Sequence, residues 1–284
     1  MRRLTLLALL AFACGAVPAQ AQTLSLGYHS GDTFKYSFHS TTKQTIVASG
    51  VSLPADVDIS ANEAVKVVSV DSAGSADIAL TLGNFAIKST TGGVSNTTTG
   101  IPDMTVDLKV GADGRILSLN GNQFAAGNPF LAFSGMGGGL FVISVLPSNA
   151  VKPGDTWSKD YDQANPGGNG SVHLTTHSTY LRNETLNGVN AAVVETTSSG
   201  SIDVTLGPAG GAAPSGAFGG SIKGTMTSDV TTWLDPGGHR ILKTHSAETN
   251  DGTMTFSGPS TTAIPGMSGP ITIKGTGTTD LTPA

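Results

Sequence analysis

Apolar and polar residues alternate with a period of two in several segments of this chain, and this alternation constrains the fold more than any other feature. Phe34, Tyr36 and Phe38 occupy every second position of one segment, and polar residues lie between them. The same alternation occurs at residues 78–82 and 104–110. Because neighbouring side chains of a β-strand point to opposite faces, these segments predict antiparallel strands with one buried face and one face in water.

Segments that favour chain reversal separate the predicted strands. Aspartate or asparagine is followed closely by glycine at 71–74, 112–114, 187–188 and 251–252. These residue types adopt the positive φ angles that tight turns require. Since the periodicity of an α-helix is nearly absent, the chain is predicted to be all-β with little helix.

Two short motifs each occur twice at nearly the same spacing. Gly-Asp-Thr-Phe at 31–34 recurs as Gly-Asp-Thr-Trp at 154–157, and a turn followed by Arg-Ile-Leu ends at 117 and again at 242. The shared order predicts two duplicated halves of antiparallel sheet, forming a curved half-barrel or a sandwich-like fold. Chance similarity in a chain rich in glycine and threonine is the alternative. We place the first β repeat at 22–120, an uncharged connection at 121–150 and the second β repeat at 151–284.

These paired strand starts resemble a bacterial family of secreted proteins and lipoproteins of unknown function. The segments 146–157 and 233–241 share in the resemblance, which covers most of the chain after residue 21. The resemblance implies export and a β fold. It implies no activity, because the family has none assigned. Many of its members look lipid-anchored, whereas this sequence lacks a convincing lipidation site.

The first 21 residues have the pattern of a cleavable secretory signal peptide. Arg2 and Arg3 precede an apolar stretch at 4–16, and Ala-Gln-Ala at 19–21 forms the cleavage motif. The single cysteine, Cys14, lies inside this segment. Lipid anchoring through Cys14 is the alternative, with Phe12 unfavourable for it. We therefore expect an extracytoplasmic protein, periplasmic or secreted, that has no disulfide and no cysteine-bound metal.

The connection at 121–150 contains no charged residue and is strongly apolar at 130–146. We interpret it as a buried connection with a short helix and a strand. The functional alternative is a flexible apolar flap that lines a cavity or contacts lipid. A transmembrane span is not expected, because glycines at 135 and 137–139 weaken an isolated helix. The candidate ligand-binding side chains of the flap are Phe130, Phe133, Met136, Leu140 and Phe141.

Motifs that carry catalysis or bind metals are weak in this sequence. His173 and His177 are four residues apart, but on a strand they would be separated by roughly 13 Å, too far to share a zinc ion. Ser40 and Lys43 match a Ser-x-x-Lys pattern that needs a helix start, whereas they continue a predicted strand. No catalytic residue, metal or cofactor is therefore predicted.

The charge of the chain also limits its partners. The net charge is −5 and basic residues do not cluster, which disfavours nucleic acid as a partner. The sequence favours non-catalytic binding of an apolar small molecule or a lipid. The alternative is a structural or interaction module of the cell surface that contacts a protein of the cell envelope, and an enzyme comes third.

Overall fold

The protein is described by a computed structural model over residues 20–120, 144–164, 168–206, 219–257 and 269–284. In these ranges the chain forms twelve β-strands and no helix. The predicted all-β, antiparallel fold class is confirmed. Residues 1–19 of the predicted signal peptide lie outside the described ranges.

Most strands are long. Their bounds are β1 Thr33–Ala48, β2 Val51–Val70, β3 Ala76–Thr91, β4 Val94–Ile101, β5 Met104–Val110, β6 Ile116–Asn120, β7 Thr156–Ala164, β8 Gly168–Leu186, β9 Val189–Leu206, β10 Gly219–Asp235, β11 Arg240–Ser257 and β12 Ile271–Pro283. The sequence alternation marks only part of each strand, because small polar residues continue the strands beyond the apolar positions.

The strands form one continuous antiparallel sheet in the order β6-β5-β3-β2-β1-β12-β11-β10-β9-β8-β7, with β4 paired to the outer part of β3. The last strand, β12, pairs with both β1 and β11 and so joins the two predicted halves. The short strand β6 and the strand β7 are the two ends of this order, and the sheet does not close into a barrel. The half-barrel description fits this arrangement.

Burial alternates along β1 as predicted. Tyr36 and Phe38 are buried, whereas Lys35, Ser37 and His39 are exposed. The same alternation holds in β3 and β5, where the apolar positions point to the inner, concave face. The outer face is rich in threonine, serine and charged residues.

The two Gly-Asp-Thr-aromatic motifs begin β1 and β7 with the same local structure. Gly31 and Gly154 have φ angles of 95° and 94°. Their N–H groups donate to the carbonyl oxygens of Val67 and Tyr180, respectively. In both motifs the aspartate carboxylate accepts a hydrogen bond from the backbone N–H three residues earlier. Each motif is therefore a turn that leads into a strand, as the sequence indicates. The first strand, β1, lies inside the sheet, and β7 is at its edge.

The turn predicted at 251–252 is wrong. Asp251 and Gly252 lie inside β11 and pair with β10 and β12. Gly252 opposes Gly224, where a Cβ atom would come within 2.3 Å of the Asp251 carbonyl oxygen. The glycines permit close backbone approach in the sheet instead of reversing the chain.

The segment before β1 crosses the inner side of the sheet. Gln22 pairs with Val151 through two backbone hydrogen bonds of 2.8 and 2.9 Å. The N–H groups of Leu26 and Gly27 donate to Ala112 O and His239 O, in the two Arg-Ile-Leu turns. Leu24 and Leu26 are almost fully buried, so this segment forms part of the core.

Candidate functional site

A small cavity lies on the inner face, between the apolar side chains of the first half and the start of β11. Its volume is about 80 Å³. Most of its wall is apolar and includes Phe34, Ile78 and Leu80. The N-terminal segment contributes Leu26 and Tyr28, which are placed there by the hydrogen bonds to the two turns. Binding sites for small molecules have this kind of apolar lining with few polar groups.

The polar groups of the cavity cluster at one side. Glu63, Arg240 and Thr244 line it there, and Glu63 is directly opposite Tyr36 in the register of β1 and β2. The Tyr36 hydroxyl donates a 2.8 Å hydrogen bond to the carbonyl oxygen of Ile241. Tyr36 therefore ties β1 to β11 across the inner space, at the margin of the cavity.

Burial raises the pKa values of the acidic groups of this cavity. It raises the pKa of Glu63 to about 7, and Glu63 is only 5% exposed. Burial also raises the pKa of Tyr36, with a smaller contribution from nearby Glu63, and it raises the pKa of Tyr28. Near neutral pH the cavity wall thus offers apolar surface, neutral hydroxyl groups and a carboxyl group that is easily protonated, together with the charged guanidinium of Arg240 on its polar side.

The enclosed volume limits what the cavity accepts. It is about half of the roughly 150 Å³ of a dry apolar cavity that binds benzene, and well below the roughly 300 Å³ of a small ligand pocket. A compact apolar group, such as the end of an alkyl chain, matches this space.

The five predicted flap residues, Phe130, Phe133, Met136, Leu140 and Phe141, lie outside the described residues. Their role stays a prediction. The connection is described from residue 144 onward, where Val145 and Leu146 are buried. Trp157 Nε1 donates to Val145 O at 2.7 Å, and Leu146 N donates to Asp113 O at 2.9 Å. This end of the connection is thereby fixed between the two halves.

Sequence reasoning did not identify the cavity, although one signal for it is present. Ile59, Ala61, Glu63 and Val67 share one phase of the alternation in β2, and all four are buried. Glu63 is the charged residue in this otherwise apolar series. An ionisable residue at an inward position marks a candidate binding site.

The histidines that were considered as metal ligands lie on the outer face of β8. His173 contacts Asp162 and Asp160 at 3.0 Å each, and the hydrogen bond that its ring donates to Asp162, followed by the charge of Asp160, raises its pKa. His177 Nδ1 is 2.8 Å from Ser158 Oγ. Within the described ranges, no group of three or more His, Cys, Asp or Glu side chains is arranged to hold a metal ion.

Comparisons with known proteins assign no family. No family model matches the sequence, and no curated protein matches it. A solved structure titled "Lipid-protein interactions in lipovitellin" is similar over 90% of this chain, with a TM-score of 0.49 and 12% sequence identity. This chain spans 26% of the length of that chain. In the described part of the protein, no helix is long and apolar enough to cross a membrane.

Proposed function

We propose that this protein is an exported, non-catalytic binding protein that takes an apolar or lipid-like small molecule on the concave face of its sheet. The observation that carries the proposal is the apolar cavity between the first half and the start of β11. Apolar surface in such a site is removed from water when a hydrocarbon group enters, which favours binding.

The size of the cavity defines the part of the ligand that it takes. A volume of about 80 Å³ admits the end of a hydrocarbon chain rather than a complete lipid. The rest of the molecule then lies along the inner face. Below about pH 7 Glu63 is mainly protonated, so Arg240 is the charged group on the polar side of the cavity, and the hydrocarbon contacts the apolar wall opposite the two.

The test is isothermal titration calorimetry with primary alcohols of increasing chain length. Val65→Phe enlarges a side chain of the cavity wall, and we expect it to weaken alcohol binding by at least about tenfold. The matched control is Val68→Phe on the same strand, because Val68 is 54% exposed on the outer face. This control is expected to bind like the unsubstituted protein.

Val65→Ala provides a second measurement in case the larger side chain disturbs folding. It enlarges the cavity and is expected to keep or strengthen binding of the longer alcohols. The proposed function is refuted if no alcohol binds, or if folded Val65→Phe protein binds as well as the control.

A further inference from the structure

A belt of buried polar side chains crosses the inner face beyond the cavity. It separates the cavity from a second apolar cluster around Ile46, Met254 and Ile271. Its members come from four adjacent strands and are all less than one-tenth exposed: Ser40, Thr42 and Gln44 of β1, Thr279 of β12, Ser246, Glu248 and Asn250 of β11, and Ser228 of β10.

Three atoms of this polar belt lack hydrogen-bond partners within the described part of the chain. They are Gln44 Oε1, Asn250 Oδ1 and Ser228 Oγ. The residues are 7%, 9% and 4% exposed, respectively. Folded proteins satisfy nearly all buried polar groups, since each unsatisfied group is costly. Three such atoms within a group of four neighbouring strands therefore indicate a site for a group that is bound from outside the chain.

Two glycines of β12 make room for these side chains. Gln44 and Asn250 flank Gly275 in the register, and a Cβ atom on Gly275 would be 3.1 Å from Asn250 Oδ1 and 3.1 Å from Gln44 Cβ. Glu248 is opposite Gly277, where a Cβ atom would be 3.0 Å from Glu248 Oε1. The Asn250 amide oxygen and the Glu248 carboxyl oxygen thus extend over the glycines, and Gln44 packs against Gly275 from the other side.

The three unpartnered atoms of this cluster are oxygen atoms that can accept hydrogen bonds. Gln44 and Asn250 flank Gly275, and Ser228 is directly opposite Glu248, so two amides, a hydroxyl group and a carboxyl group occupy neighbouring positions of the inner face. A primary ammonium group offers three N–H donors and a positive charge, which complement these oxygens. Burial raises the pKa of Glu248 to about 7.

We propose that the polar belt binds the primary ammonium group of an amphiphilic ligand whose alkyl chain ends in the cavity. This inference rests on the proposed function. Thr244 lines the cavity, and it lies four residues before Glu248 on β11. The two are therefore separated by roughly 13 Å along the strand, a distance that an extended alkyl chain of medium length covers.

The experiment compares dodecylamine, dodecanol and dodecanoic acid, which share one chain and differ in the end group. Binding to the chain from residue 22 onward is measured by isothermal titration calorimetry. We expect the amine to bind at least about tenfold more tightly than the alcohol, as for a charge-assisted hydrogen bond, and the acid to bind most weakly.

Substitution of the acceptors should remove this preference. In Glu248→Gln protein, the affinities for amine and alcohol are expected to become equal within about threefold. Gln44→Met removes the amide group but keeps a side chain of similar length, and it should reduce the amine preference in the same way. The control Glu195→Gln, an exposed glutamate of β9, should keep the preference.

The outcomes separate the two proposals. If the alcohol binds but the amine has no advantage, the ammonium site is refuted and the apolar cavity is retained. If none of the three ligands binds, both proposals are refuted. An amine preference that survives in both Glu248→Gln and Gln44→Met also refutes the site.

Discussion

The two buried glutamates predict that this protein is most stable in mildly acidic solution. Glu63 and Glu248 are 5% and 8% exposed, and burial raises the pKa of each from 4.5 to about 7. The unfolded chain releases these protons near pH 4.5, whereas the folded protein keeps them until about pH 7. Between these values the folded state binds more protons, so the free energy of unfolding falls as the pH rises.

The size of the effect follows from the pKa difference. Each glutamate lowers the free energy of unfolding by about 3 kcal/mol between about pH 4.5 and pH 7, and the decrease is complete above about pH 7. For both residues the decrease reaches about 6 kcal/mol, which is comparable with the whole stability of many domains.

Urea unfolding followed by tryptophan fluorescence measures this decrease at about pH 5 and about pH 8. Glu63→Gln and Glu248→Gln should each reduce the difference between the two pH values by about half, and each should stabilise the protein at about pH 8. Glu195→Gln is the exposed control and should leave the difference unchanged. Equal stability of the unsubstituted protein at the two pH values would refute the reasoning.

Two further predictions concern the backbone and the N-terminal segment. Gly154→Ala should destabilise the protein by about 1 to 3 kcal/mol, because Gly154 has a φ angle of 94°, and Gly31→Ala should have a similar effect in urea unfolding. Removal of residues 22–26 should cost about 3 to 6 kcal/mol in the same assay, because Leu24 and Leu26 are 1% and 2% exposed. A truncated protein of unchanged stability would contradict the role of this segment in the core.

The sequence predicts local structure well where an apolar series has a clear phase. In β1, the alternation of Phe34, Tyr36 and Phe38 predicts which face is buried, because a one-residue change in phase would move every aromatic side chain into water. The place of β12 between β1 and β11 is different. It depends on pairing between residues more than two hundred positions apart, and no local pattern encodes such a partner.

The polar belt was not predictable because its inward residues resemble those of an exposed strand. Ser246, Glu248 and Asn250 share the inward phase of β11, and alternation alone would place such residues in water. Glu63 differs because its neighbours in phase are apolar, so its burial could be inferred from β2 alone.

The two buried glutamates have different neighbouring side chains, and this difference underlies the two ligand groups in our proposals. Glu63 lies beside Tyr36 in an apolar wall, where protonation makes the surface compatible with hydrocarbon. Glu248 lies near Gln44, Ser228 and Asn250, whose unpartnered oxygen atoms are the acceptors of the proposed ammonium site. Similar burial thus gives the two carboxyl groups similar pKa values, and in our proposals the neighbouring side chains, and not the carboxyl group itself, determine which ligand group each site takes.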